Sequence, residues 1–85
     1  MDKDRLEKLT QEYLKGLQAK ETYKYLKELF EEMRKMLYEE WQTADEQQYR
    51  EIKSRLTVIN QLEGLILSHI ENGKIAKQDI EEIEK

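Results

Sequence analysis

A chain of 85 residues with no cysteine, one histidine and a formal net charge of −4 excludes disulfides, thiolate metal sites and any multi-histidine site within one copy. Proline is absent, glycine occurs three times and 40% of the residues are charged, the composition of long helices and coiled coils. The acidic balance argues against a nucleic-acid polymer as partner, because nonspecific binding rests on Lys and Arg neutralising phosphates.

So short a chain buries a modest share of its surface and is marginally stable alone. With disulfides and thiolate or multi-histidine metal sites excluded, self-association is the remaining remedy unless helix packing is unusually good, and a homo-oligomer is expected. No apolar run approaches the length needed to span a bilayer. The amino terminus lacks the apolar core of a signal peptide, so a cytoplasmic protein is expected, with no membrane partner.

In chain order, Leu6, Leu9, Tyr13 and Leu17 recur at spacings of three and four and predict a first helix from about Asp2 to Leu17. Gly16 weakens its last turn and predicts an end or bend near 16–20, although Ala19 and Lys20 would let the helix run on. A second helix over about 21–41 follows from Leu26, Phe30, Met33, Leu37 and Trp41, flanked by Tyr23, Leu29, Met36 and Glu40. Its opposite face, with Lys24, Lys27, Glu28, Glu31, Lys35 and Glu39, reads as solvated.

The segment 42–46 interrupts the pattern. Thr43 with Glu46 forms a capping-box sequence, and Asp45 with Gln48 forms a competing one two residues later. A third helix over about 44–72 therefore begins after a short link, which predicts an antiparallel hairpin with the second. It carries two apolar rows. One comprises Tyr49, Ile52, Leu56, Ile59, Ile66 and Ile70; the other comprises Val58, Leu62, Leu65 and His69. One partner helix does not cover two rows, so Val58, Leu62, Leu65, Ile66 and His69 are the expected oligomer or partner interface. Gly64, lacking a side chain, is a point where another backbone can approach. Asn72-Gly73 reads as a helix stop with a left-handed glycine cap. In the tail over 74–85, Ile75, Ile80 and Ile83 predict a short fourth helix that frays unless docked. The whole is expected to be one all-α domain over 1–85, a helical hairpin in an oligomeric bundle.

Catalytic chemistry is not evident. His69 has Leu65, Ile66, Asn72 and Gly73 as its helical neighbours, none of which orients an imidazole for acid–base work. Ile66 stands where a di-iron Glu-x-x-His pair would need its glutamate. Phosphate-binding, nucleophile-elbow and EF-hand patterns are missing. The expectation is a protein that is not an enzyme, with no catalytic, cofactor-binding or metal-binding residue. Tyr23, Lys24, Tyr25 and Lys27, with Arg34, form the one ligand-like patch, since aromatic and basic groups together can stack on and neutralise a small nucleotide.

Trp41, Thr43, Asp45, Arg50-Glu51, the aliphatic run from Leu56 to Ile70, Gly73-Lys74 and Ala76 also stand in a recurring order. That order resembles a group of small helical proteins encoded by tailed bacteriophages, often near virion-assembly genes. Members often carry a bulky aromatic residue soon after Arg-Glu, where this chain has Ile52. The resemblance implies a phage or prophage origin and brings no defined activity with it. The expected function is a phage-encoded protein-interaction module, an assembly accessory or a binder of another protein. The alternative is an anti-defence protein that sequesters a signalling nucleotide or inhibits a host defence protein as an oligomer.

Overall fold

The computed structural model describes residues 3–84 and consists of two α-helices, α1 (Lys3–Trp41) and α2 (Glu46–Glu84). Each has 39 residues, which at about 1.5 Å per residue is roughly 58 Å of helix. They lie antiparallel as a hairpin measuring 60 × 20 × 14 Å.

The expected hairpin is present, but its arms are longer than the spacing predicts. The first and second expected helices are one: α1 runs unbroken through Gly16. The third and fourth are also one, since α2 runs through Asn72-Gly73 to Glu84. No glycine among the described residues has the left-handed backbone that a glycine cap requires. Local propensity explains why a break is not forced. One glycine inside a helix costs only about 1 kcal/mol against alanine, and Lys15 and Leu17 beside Gly16 and Lys74 beside Gly73 are good helix formers. Packing then explains why the helices continue, because both glycines lie buried in the seam between the arms.

That seam follows a seven-residue repeat. On α1 it passes through Leu9, Gly16, Tyr23, Phe30 and Leu37, and on α2 through Ile52, Ile59, Ile66, Gly73 and Ile80. A sustained repeat of seven holds a contact stripe toward a partner helix, as in coiled coils. The buried cluster comprises Phe30, Leu37, Ile52, Leu56 and Ile59, with Tyr23, Leu26, Ala44 and Ile66 packed against it. It occupies the turn-side half of the rod.

The other half is built differently. A Cβ on Gly16 would lie 2.7 Å from the Cα of Gly73 and 3.0 Å from the carbonyl oxygen of His69. The helices therefore meet backbone to backbone at this level, and Ala76, 1% exposed, continues the contact. Both arms supply the same small-residue step, Gly16-x-x-Ala19 and Gly73-x-x-Ala76. Beyond it, Leu6 and Leu9 at the start of α1 and Ile80 and Ile83 at the end of α2 are half-buried. Lys77 places its ammonium 6.0 Å from the centre of the Tyr13 ring.

The turn selects the later of the two competing caps. The Asp45 carboxylate accepts the Gln48 amide proton at 2.8 Å, and the Asp45 amide donates to the Gln48 side-chain oxygen at 3.0 Å. This reciprocal pair satisfies donors at the start of α2. The preceding residues tighten the end of α1, with the amides of Gln42, Thr43 and Ala44 donating to the carbonyls of Glu39, Glu40 and Trp41. Trp41 spans the two arms, its ring edge-on to Tyr49 at 4.7 Å and stacked on Tyr38 at 6.2 Å.

Candidate interaction face

The two apolar rows of the sequence separate in space. The row containing Ile52, Leu56 and Ile59 is buried against α1. In the second row Val58, Leu62 and Leu65 are 53%, 50% and 58% exposed. His69, one turn further on, is exposed as well. Ile66 belongs to the hairpin's own packing and is half-buried against the core cluster. The five interface positions therefore divide: four face solvent and Ile66 faces α1.

Open apolar surface on α2 meets open apolar surface on α1. Met33, Met36 and Leu37 form one wall of a groove of about 460 Å³, and Val58, Ile59 and Leu62 form the other, with Glu40, Ser54 and Arg55 at the turn-side end. Leu29 and Leu65 extend the two walls away from the turn, 47% and 58% exposed. Leu29, Met33, Met36 and Glu40 step by four, three and four, beside the Phe30–Leu37 row, and this is the signal by which α1's share can be found in the sequence. Unbranched methionines adapt their shape to a partner better than branched aliphatics do.

Charge is distributed to match. Between Leu56 and Ile70 the only Asp, Glu, Lys or Arg is Glu63, and its carboxylate is engaged inside the hairpin. Arg34 holds it at 2.8 Å, with both side chains largely shielded from solvent. The Tyr23 hydroxyl donates to its second oxygen at 3.3 Å, and the Arg34 Nε donates to the Asn60 side chain at 3.1 Å. Loss of solvation, and then the Glu63 carboxylate, raise the Tyr23 phenol above its ordinary value of 10.0. Four turns of α2 thus present no free formal charge in a chain that is 40% charged. Depleted charge with exposed Met is the composition found at the cores of protein interfaces in general.

Only part of the ligand-like patch comes together. Tyr23 and Arg34 converge on Glu63, a carboxylate that repels phosphate. Lys24 pairs with Glu21 at 3.3 Å. Tyr25, two residues beyond Tyr23 and so about 200° round the helix, is 80% exposed on the outer surface. Lys27 is exposed.

Gly64 has no heavy atom near where its Cβ would be. Within the chain, the close backbone approach is at Gly16 and Gly73. Among the described residues, no three His, Asp or Glu side chains group as a metal ion would need, and no helix is long and apolar enough to cross a membrane. Compared with protein-family models, curated proteins and solved structures, the chain matches none of them.

Proposed function

We propose that this protein is a non-enzymatic interaction module, a rigid helical rod whose working surface is the groove between Met33 and Leu62. The observation that carries the reading is the coincidence, on one side of the hairpin, of open apolar walls with the charge-free segment of α2. Leaving such a face in water forfeits roughly 25 cal/mol for each Å² that a partner would cover. The resemblance of the Trp41–Ala76 stretch to small tailed-phage proteins favours an assembly accessory as the role.

Nucleotide sequestration has weaker support, since the cation and phenol best placed for it already serve Glu63. The deciding experiment is affinity capture from phage-infected cells with the native chain and with Leu62→Glu in parallel. Leu62 is half-exposed, so the substitution charges the face without opening the seam. A partner recovered with the native chain and lost with the variant is the expected result. Equal recovery, or none with either, overturns the reading.

A further inference from the structure

We infer that the occupant of the Met33–Leu62 groove is a second copy of this chain, related by a two-fold axis running along the rod so that both turns lie at the same end. The inference rests on the interaction-module reading and names its partner.

Surface area points to a partner of the chain's own size. The hairpin exposes 6992 Å², whereas a compact monomer of its mass exposes about 5,400 Å². The excess, roughly 1,600 Å² per chain, matches one partner's share of an obligate homodimer interface, where the two sides together bury about 2,000–5,000 Å². A single peptide helix laid in the groove would leave much of that excess uncovered.

Position along the rod selects the symmetry. Counting from the Gly16–Gly73 contact, equal rise on antiparallel arms sets Leu29 level with Asn60 and Met36 level with Lys53. The exposed part of α1 thus overlaps the Val58–Leu62 part of α2. An axis along the rod lays the α1 of each copy on the α2 of the other at the same level, so Leu29 and Met33 meet Val58 and Leu62. All neighbouring helices are then antiparallel, as in four-helix bundles. An axis across the rod, centred on Leu62 and Leu65, would instead set Met36 level with Lys15 of the other copy, which lies on the same side of α1 as Met33, whereas Lys53 lies half a turn round α2 from Leu62.

The rims agree with this arrangement. Along the groove side α1 carries Glu32, Glu39 and Glu40, while α2 carries Arg55 and the uncharged Ser54, Gln61 and Ser68, with Glu51 near the turn. Laying α1 on α2 of the other copy sets acidic groups against a mostly uncharged rim that includes a cation. Among these rim residues, like charges meet only where Glu40 and Glu51 lie near the turn.

The absence of cysteine makes the test direct. Light scattering across a dilution series is expected to give twice 10.4 kDa. Thr43→Cys, in the exposed turn, takes a single spin label, and the pulsed electron resonance distance between copies is expected to fall within about 30 Å, twice the rod's 14 Å thickness. Met33→Glu and Leu62→Glu are expected to halve the mass. Because the label reports on a chain with an unaltered face, the orientation is read even if a charged variant unfolds. A native mass of 10.4 kDa, any mass other than twice it, or a label distance approaching the rod length of 60 Å overturns the inference. Those outcomes are distinct from failure of the interaction module: a native monomer that captures another protein, and loses it with Leu62→Glu, leaves that reading standing.

Discussion

Gly16 and Gly73 touch through their α-carbons: a Cβ built on either would lie 2.7 Å from the other's Cα. Real side chains do not occupy that distance, so each glycine fixes how closely the arms approach. Gly16→Ala and Gly73→Ala are each expected to destabilise the hairpin by about 1–2 kcal/mol. Overpacking of roughly 1–3 kcal/mol is partly offset by the better helix propensity of alanine. Gly64→Ala, which meets nothing within 4 Å, is expected to stabilise by up to about 1 kcal/mol. Thermal melts of the three variants check the opposite signs.

The turn offers a second contrast. Asp45→Ala removes the side-chain acceptor of the Gln48 amide and is expected to cost about 1 kcal/mol. Thr43→Ala removes a hydroxyl that makes no cap and is expected to change stability by less than about 0.5 kcal/mol. Urea denaturation of both variants distinguishes the two possible cap registers.

Arg34, Tyr23 and Glu63 act as a unit across the arms. Arg34→Ala and Glu63→Ala are each expected to cost about 1–2 kcal/mol, the lower part of the range for charged hydrogen bonds because both groups keep some solvent contact. The double variant is expected to cost less than their sum, since each single change already breaks the pair. A double-mutant cycle measures that coupling.

Alkaline pH probes the same cluster. The folded state holds the Tyr23 proton above its ordinary value of 10.0. Where the unfolded chain has lost this proton and the folded chain keeps it, stability falls as pH rises. That contribution is intact below about pH 10 and is lost as pH climbs toward the raised folded value. Native protein is therefore expected to lose stability between pH 9 and about pH 11 faster than Tyr23→Phe. Parallel melts at both pH values test this, and equal losses would contradict it.

How much of this was legible in the sequence varies with the kind of signal. The hairpin follows from the apolar spacing of Phe30 and Leu37 against Ile52, Leu56 and Ile59, and from the cap residues between them. The arm lengths did not follow, because Gly16 and Gly73 carry the local mark of a break or stop while serving a contact between residues far apart in the chain. Their shared Gly-x-x-Ala step, in register with the apolar heptads, was the available clue. The open face was half legible. Val58, Leu62 and Leu65 stood out as a surplus row, but Leu29 and Met36 read as flanking residues and Met33 as part of the main row, and only the pairing of α1 with α2 leaves all three exposed. Ile66 was counted both in the Ile52–Ile59 row and in the interface, and the structure keeps it with the row, packed against the core cluster.

The placement of the turn has a mechanical consequence. Lys3 and Glu84 lie at the same end of the rod, opposite the turn between Trp41 and Glu46. Tension applied through those two residues does not shear the seam along its length. It peels the arms apart like a zipper, first at Leu6 and Ile83, then at the glycine contact, and last at Leu37 and Ile52 beside the turn. Each seam layer bears the load in sequence, so the rod resists compression and bending far better than it resists being drawn open from the end opposite the turn.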